Sequence, residues 1–351
     1  MVEWYFEKGP ESDVVISSRV RLARNLSDMP FPARMSETQS GEVVSRIKTA
    51  VIGKGAFSDW DFSFIDVPEL NQVDRQVLVE KRLVSPEFIQ KKTQTGVLFS
   101  SDERVSIMVN EEDHVRIQCI YPGLQLNNAW HLCNRIDLAL EQENDFAFNK
   151  DYGYLTCCPT NVGTGMRASA MLHLPALVMT GMIRNILDAC GKLGLAVRGI
   201  YGENTEASGN MFQISNQVTL GHTEEEIVAG ITNVISQIIE RERALRSEVY
   251  KQTPHMFEDR IFRSYGLLAN SRMMGAEESM RLLSDLRLGV EMGIVGNITE
   301  QKINELLLLV QPASLQRHEG KVLGPEERDV RRSALLRDKL DDRKAIGSGN
   351  E

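Results

Sequence analysis

Four short segments of this 351-residue chain combine charged side chains and glycines in patterns that suit phosphate chemistry. In the first, residues 17–25, Arg19 and Arg21 are two residues apart, so a strand would point both toward one face. Two guanidinium groups on one face suit a polyphosphate, because each can bind two oxygens at once. A solvated edge strand is the alternative interpretation.

The second segment is an acidic turn. Glu111, Glu112 and Asp113 precede His114, and Arg116 follows on the next strand-like run. One of these carboxylates could act as a general base with Arg116 nearby. The turn could equally be the solvated tip of a hairpin.

The third segment, residues 157–168, carries Cys158 ahead of a glycine-rich loop and Arg167 after it. We expect the loop to open a helix over residues 166–191, whose first N–H groups would face an anion. In the alternative interpretations, the glycines serve only backbone geometry and Cys158 is a small buried residue.

The same loop fits Gly-x-Gly-x-x-Ala, with Asp188 about twenty residues on, which is a loose dinucleotide fingerprint. The fourth segment joins Arg198 to Glu203 and Glu206 in a glycine-flanked loop. This loop either closes over a site or belongs to an ordinary surface hairpin.

Composition narrows the class of protein. The net charge is -9, from 49 acidic and 40 basic residues, which argues against non-specific nucleic-acid binding. Arginine supplies 27 of the 40 basic residues, and it is the side chain suited to bidentate phosphate capture. We find no signal peptide and no apolar run long enough to span a bilayer. Five cysteines without a Cys-x-x-Cys pair indicate reduced thiols in the cytoplasm and no zinc site.

Pairs of strand-like runs that flank polar turns predict two hairpins. Residues 105–109 and 114–120 flank the acidic turn, and residues 195–201 and 210–218 flank the fourth segment. Consecutive hairpins favour an antiparallel sheet over a doubly wound parallel one.

Helical patterns follow. A helix should start at Thr223, with Glu226 in capping-box position, and end in the charged residues 240–243. Beyond residue 247 strand-like runs are absent, and helices are predicted over 276–291, 299–311 and 325–345. We therefore predict an α+β fold, with an antiparallel sheet flanked by helices over residues 1–247 and an all-helical domain over residues 248–351.

Four strings, in this order, resemble the ATP:guanido phosphotransferases over residues 13–245: Ser-Arg-Val-Arg, Asn-Glu-Glu-Asp-His-x-Arg, Cys-Pro-Thr-Asn-x-Gly-Thr and Arg-Gly-x-x-Gly-Glu. Within that family the chain is most similar to the bacterial protein-arginine kinases. Its C-terminal Arg-Asp-x-x-Arg string resembles their phosphoarginine-binding motif. The resemblance implies transfer of the ATP γ-phosphoryl group, with Mg²⁺, to arginine residues in proteins, in stress response and protein quality control.

The resemblance also implies residue roles. The nucleotide-binding residues would be Ser18, Arg19, Arg21, Arg116, Arg167 and Arg198. The residues that handle the substrate guanidinium would be Glu112, Glu206 and Cys158. The phosphoarginine-binding residues would be Arg328, Asp329 and Arg332.

This chemistry explains the residue types. A guanidinium has a pKa above ~12, so its nitrogen has no free lone pair at neutral pH and a carboxylate must accept a proton as it attacks. Arginines and Mg²⁺ would neutralise the nucleotide phosphates and hold them in line, because phosphoryl transfer is mostly positioning and electrostatics.

The chain departs from the family pattern at two positions. Tyr201 stands where phosphagen kinases carry a further arginine, and Ser333 stands where the phosphoarginine motif has alanine. Only twelve residues precede the first matched segment, so we expect an open site that prefers protein arginine to free arginine. Three alternatives stay open: a phosphagen kinase acting on a free guanidino compound, an inactive phosphoarginine-binding adaptor, and a nicotinamide-dependent enzyme.

The partners come from the resemblance alone. It implies arginine-bearing protein substrates, a zinc-binding activator of the McsA type, a heat-shock repressor, Clp protease components and a homo-oligomer. Neither direct nucleic-acid binding nor membrane association is expected.

Overall fold

The computed structural model describes residues 3–53, 56–58, 60–199 and 208–341. Contacts between residues divide the chain into two compact units, and neither unit is a continuous segment. The first unit comprises residues 1–172, 187–197 and 213–237, and the second comprises residues 173–186, 198–212 and 238–351. The domain boundary predicted after residue 247 stays a prediction.

The described residues contain ten strands. They are β1 Val15–Arg24, β2 Phe62–Asp66, β3 Gly96–Ser100, β4 Val105–Val109, β5 Val115–Pro122, β6 Phe148–Asn149, β7 Gly153–Tyr154, β8 Met166–His173, β9 Leu195–Gly199 and β10 Met211–Asn216.

The same part of the chain contains eleven α-helices. They are α1 Glu37–Ile52, α2 Gln72–Glu80, α3 Leu126–Glu141, α4 Pro175–Met179, α5 Ile183–Lys192, α6 Glu224–Gln252, α7 Pro254–Asn270, α8 Ala276–Glu291, α9 Glu300–Leu309, α10 Pro312–Glu319 and α11 Pro325–Lys339.

Eight strands form one sheet in the order β2-β3-β4-β5-β1-β8-β10-β9, and β6 pairs with β7 apart from it. Every neighbouring pair from β2 to β8 is antiparallel. The predicted antiparallel sheet flanked by helices is therefore confirmed, as is the hairpin of β4 and β5 around the acidic turn. The strands β9 and β10 are also neighbours, as the second predicted hairpin requires.

Strand β1 lies near the middle of the sheet and has two different faces. Val20 and Leu22 are fully buried on the face that α3 covers. On the same face, Arg24 reaches Asp137 of α3, with 2.6 Å between its Nη2 and the carboxylate Oδ2. Arg19 and Arg21 alternate with these residues, so they point to the opposite face.

The predicted helix over residues 166–191 is wrong. Residues 166–173 form strand β8, which pairs with β1, and only α4 and α5 are helical in the remainder. Methionine, alanine and leucine dominate this stretch and favour helix by intrinsic propensity. Pairing within the sheet overrides that weak preference.

The predicted helix start at Thr223 is confirmed. The Glu226 N–H donates to Thr223 Oγ1, and the Thr223 N–H donates to Glu226 Oε2, which completes a capping box. Helix α6 continues to Gln252, beyond the charged residues where the pattern placed its end.

The C-terminal part of the second unit is helical, as predicted. Helix α8 matches the predicted bounds, and α9 and α11 lie within theirs, whereas α7 and α10 were not predicted. These helices share an apolar core whose fully buried members include Leu283, Leu286, Ile303, Leu306 and Leu336. Among the residues described here, no helix is both long enough and apolar enough to cross a membrane.

Candidate functional site

Four arginines lie on one face of three neighbouring strands in the first unit. The antiparallel register sets Arg21 of β1 opposite Arg167 of β8, while Arg116 of β5 lies opposite Ala23, two residues along. Arg19 is two residues from Arg21 on the same strand face. All four side chains are half-buried in strands whose other residues are mostly buried. We call this set the arginine face.

Neutral polar groups accompany the arginine face. Arg19 donates to Gln118 Oε1 at 3.3 Å and to Gln213 Oε1 at 2.8 Å. Arg167 Nη2 donates to Ser215 Oγ at 3.0 Å. Arg21 Nε is buried and has no hydrogen-bond partner within the described part of the chain. An orphaned buried donor of this kind is costly, and an anion would satisfy it.

Burial and mutual repulsion lower the pKa of two arginines of the arginine face. Burial, followed by the charges of Arg82, Arg167 and Arg116, lowers the pKa of Arg19 to about 9. Burial and the same kind of repulsion lower the pKa of Arg21 well below its ordinary value, and Glu111 only partly opposes this. An anion bound on this face would relieve both effects.

Arg82 is a fifth arginine beside the face that sequence reasoning missed. Its charge acts on Arg19, and its backbone carbonyl accepts a hydrogen bond from Gln118 Nε2. It precedes β3 in a stretch without motif character and has a positive φ of 63°. Its proximity to β1 arises from long-range pairing, which a single sequence does not reveal.

The acidic turn between β4 and β5 supplies carboxylates next to Arg116. Arg116 Nη1 lies 2.7 Å from Glu111 Oε2, and its Nη2 lies 3.0 Å from Glu112 Oε2. Glu111 is nearly buried and also accepts hydrogen bonds from Ser85 Oγ and the Glu112 N–H. The Glu112 side chain is 44% exposed. Glu112 is therefore the carboxylate of this pair that an incoming group can reach.

Asp113 ties the acidic turn to the loop that carries Cys158. It is fully buried, and its Oδ1 accepts the Cys157 N–H and Asn25 Nδ2, each at 2.7 Å. Asn25 Oδ1 in turn accepts the His114 N–H at 2.9 Å. The spacing of the motif does not distinguish Asp113 from its two neighbours, so sequence reasoning missed this positioning role.

His114 is not a candidate base. Its Nδ1 accepts the Leu26 N–H at 3.0 Å, and its Nε2 lies 2.9 Å from the Pro30 carbonyl oxygen. Burial lowers its pKa. A neutral ring with both nitrogens bonded to backbone holds the turn in place.

Cys157 and Cys158 are adjacent but differ in environment. Cys158 Sγ lies 3.0 Å from Thr160 Oγ1, beside the short helical turn Pro159–Asn161. Burial and the neighbouring Asp113 carboxylate raise the pKa of the Cys157 thiol to about 12. Cys157 therefore stays protonated and unreactive at neutral pH.

The glycine-rich loop does not open a helix, so the expected cradle of helical N–H groups is absent. Gly163 has φ of 113°, and a Cβ there would lie 2.7 Å from the Thr219 carbonyl oxygen. Gly165 has φ of 65°, and a Cβ there would lie 2.6 Å from Arg24 Nη1. The glycines serve backbone geometry, and the antiparallel strand that follows excludes the dinucleotide interpretation.

Three predicted site residues stand apart. Ser18 is fully buried on the α3 side of β1 and bonds to the Gly123 carbonyl and the Gln125 N–H, and its nucleotide-binding role stays a prediction. Arg198 is exposed on β9, shortly before residues 200–207, and stays a prediction. Glu206, like Tyr201, lies outside the described residues.

The predicted phosphoarginine site lies on α11 in the second unit. Arg328 is half-buried, and its Nη1 donates to the Leu323 carbonyl at 3.0 Å. The Asp329 carboxylate is 37% exposed and accepts Arg332 Nη1 through Oδ1 at 2.6 Å. Both residues therefore remain accessible to a ligand.

Arg332 is buried on α11, and its role in binding phosphoarginine stays a prediction. It is 1% exposed, and it donates to the backbone carbonyls of Val310 and Met274 as well as to Asp329. Its charge therefore anchors α11 and does not face outward. Ser333, the departure from the motif, is also buried and donates to the Arg272 carbonyl at 2.6 Å.

Comparison with known protein families covers both parts of the chain. Residues 42–245 match the ATP:guanido phosphotransferase C-terminal catalytic domain. Residues 254–349 match the C-terminal domain of the protein-arginine kinase McsB.

Similar proteins agree with these matches. A protein called protein-arginine kinase from Geobacillus sp. (strain WCH70) is 48% identical to this chain, and the match covers 98% of this chain and 95% of that protein. The protein of the same name from Desulforamulus reducens is 50% identical, over 96% of this chain and 95% of that protein. The one from Bacillus subtilis is 47% identical, over 96% of this chain and 93% of that protein.

Solved structures show the same fold. The duplicated taurocyamine kinase of Schistosoma mansoni aligns with a TM-score of 0.60 and 29% identity, over 67% of this chain and 34% of that longer chain. A lombricine kinase aligns with a TM-score of 0.60 and 23% identity, over 70% of each chain.

The contacts of Asp113 predict the reactivity of Cys157. In a Cys158→Ser background, iodoacetamide at pH 8 should modify Cys157 very slowly, because a pKa of about 12 leaves only about one thiol in 10⁴ ionised. Adding Asp113→Asn removes the adjacent charge and should raise the rate roughly tenfold, measured by peptide mass spectrometry. The exposed Asp151→Asn is the control, and equal rates in all three proteins would contradict the assignment.

Proposed function

This chain belongs to the ATP:guanido phosphotransferase family, and we propose from that premise how its residues divide the work. Its activity is the ATP-dependent phosphorylation of arginine residues in proteins. The observation that carries the residue roles is the arginine face, which lies beside the exposed carboxylate of Glu112.

The arginine face binds the nucleotide phosphates in this proposal. Its half-buried guanidinium groups, their mutual repulsion and the unpartnered Arg21 Nε support a polyanion as the ligand. Arg82 adds charge next to Arg19, and the family resemblance alone assigns Arg198 a nucleotide-binding role. Because phosphoryl transfer depends mainly on positioning and charge neutralisation, arginines suffice for much of this role.

Mg²⁺ would accompany the nucleotide. The described residues hold no cluster of three or more His, Cys, Asp or Glu that could bind a metal on its own. That suits Mg²⁺, which is usually held by substrate phosphates together with one or two carboxylates. Held with the phosphates, the ion would neutralise part of their charge.

Glu112 is the proposed acceptor of the guanidinium proton. In the structure its carboxylate binds a guanidinium already, that of Arg116, at 3.0 Å. When phosphates engage Arg116, Glu112 becomes free for the substrate arginine, while Glu111 keeps hold of Arg116. The carboxylate then orients the attacking nitrogen and takes its proton.

Glu206 and Cys158 complete the substrate site in this proposal. The family resemblance assigns Glu206 as the second guanidinium carboxylate, and it lies outside the described residues. The half-exposed Cys158 thiol, held near the acidic turn through the Asp113 contact with Cys157, supports contact with the same guanidinium.

A second site on α11 is proposed to recognise phosphoarginine through Arg328 and Asp329. Arg328 would bind the phosphoryl group and Asp329 the guanidinium, since neighbouring side chains of opposite charge suit this zwitterionic group. Arg332 orients Asp329 through one carboxylate oxygen and leaves the other free.

The cellular setting in this proposal comes mainly from the family. We place the enzyme in the cytoplasm, in stress response and protein quality control, and as a homo-oligomer. An activator of the McsA type, a heat-shock repressor and Clp protease components are its proposed partners. Free cysteines throughout the described residues support a reducing compartment.

Loss of either central arginine should nearly abolish phosphoryl transfer. Arg116→Ala and Arg167→Ala should each lower kcat/KM by about 10³-fold, because each removes a charge that stabilises the transferred group. The measurement is acid-labile phosphate incorporation from ATP into an arginine-bearing protein. The exposed Arg135→Ala should retain activity, and near-wild-type transfer by Arg116→Ala or Arg167→Ala would contradict the assignment.

The α11 site predicts a separable binding defect. Arg328→Ala combined with Asp329→Ala should weaken phosphoarginine binding at least tenfold, because two charge-assisted contacts are lost. Calorimetry measures the affinity, and circular dichroism confirms that the helices persist. Arg331→Ala, which alters an exposed neighbour on the same helix, is the control; unchanged affinity in the double variant would remove the site.

A further inference from the structure

A groove of about 270 Å³ lies in the first unit, beside the N-terminal half of α6. We call it the α6 groove. Two of its wall residues, Leu193 and Val218, are exposed apolar side chains, at 64% and 49%. Its apolar walls are Leu193, Leu195, Val218, Ile227, Ile231 and Val234.

Gly230 leaves the groove open. It lies within α6 and lines the groove, although glycine weakens a helix interior relative to alanine. No packing constraint demands it, since a Cβ at this position would meet no heavy atom within 4 Å. A larger side chain here would fill space that is now accessible.

The groove wall adjoins a residue that contacts the loop of the proposed substrate site. Thr219, the residue after Val218, donates through Oγ1 to the carbonyls of Thr160 and Val162 at 2.9 Å and 2.7 Å. Cys158 Sγ contacts Thr160 Oγ1 in that same loop. One end of the groove, at Val218, is therefore one residue from the contact with the loop that holds Cys158.

Charge and size indicate the occupant. Glu226, in the first turn of α6, lines the groove with a side chain that is 63% exposed. Glu224 and Glu225 precede it in the same turn, so the rim of the groove is acidic beside His222, whose Nδ1 lies 3.7 Å from Glu226 Oε2. An acidic rim favours a positively charged segment. A cavity of this volume accepts a leucine-sized group, whereas a stable dimer buries a far broader surface.

We propose that the α6 groove binds an apolar side chain of the protein substrate, on an extended basic segment that flanks the target arginine. The proposal rests on the protein-arginine kinase activity and extends it to substrate selection. Apolar burial supplies affinity, and the acidic rim sets the charge of the flanking sequence.

The test uses the full chain and paired lysine-containing peptides with one arginine. In one series a leucine is moved through the positions flanking the arginine, and in the other a serine takes its place. At the best position the wild-type KM for the leucine peptide should be about tenfold lower than for the serine peptide. Gly230→Phe, which fills the groove, should bring this ratio to about one.

Two further variants keep the test decisive. Val218→Ser alters an exposed wall residue, so it should fold normally and also reduce the ratio. Gly41→Phe is the matched control, because Gly41 lies in α1 outside the groove and a Cβ there also meets nothing within 4 Å; its ratio should equal that of the wild type.

Three outcomes would overturn the proposal. They are equal KM values for both peptides at every position, a ratio that survives in both groove variants, and a change of oligomeric state in Gly230→Phe with the ratio unaltered. If the wild type phosphorylated neither the peptides nor an arginine-bearing protein, the proposed function itself would fail, which is a distinguishable result.

Discussion

Four guanidinium groups share one face of three adjacent strands, and their mutual repulsion is the constraint around which the rest of the first unit is organised. Burial costs each charge its hydration, and the neighbouring charges add to that cost. The protein offsets it with glutamine and serine partners and with one carboxylate pair at Arg116. Nucleotide phosphates, the ligand proposed for this face, would supply the negative charge that these partners do not.

The three consecutive acidic residues of the turn differ in burial and in hydrogen-bond partners. Glu111 is nearly buried and holds Arg116, while Asp113 is fully buried and holds the loop of Cys157. Only Glu112 reaches solvent with a large fraction of its side chain. One short turn thus contacts both the proposed phosphate-binding arginines and the loop of the proposed guanidinium site, because each acid has a separate set of partners.

Local pattern made much of this arrangement predictable, and long-range pairing accounts for the remainder. Residue alternation was enough to set Arg19 and Arg21 on one face and to predict the hairpin that presents Glu112. It did not reveal that Arg167 lies opposite Arg21, since that register depends on β8, whose methionine- and alanine-rich sequence favours helix locally. The burial of Ser18 and of Arg332 could not be predicted either, because a motif specifies residue types and spacing but not which of its side chains are buried.

The most direct test of this account is Glu112→Gln, which keeps the size of the side chain and removes its ability to accept a proton. ATP affinity, measured by calorimetry, should stay within about twofold of the wild type, because the arginine face is intact. Transfer of acid-labile phosphate to an arginine-bearing protein should fall by about 10²- to 10⁴-fold, the range expected for loss of a general base. Transfer at a near-wild-type rate would contradict the central claim that Glu112 receives the proton of the attacking guanidinium.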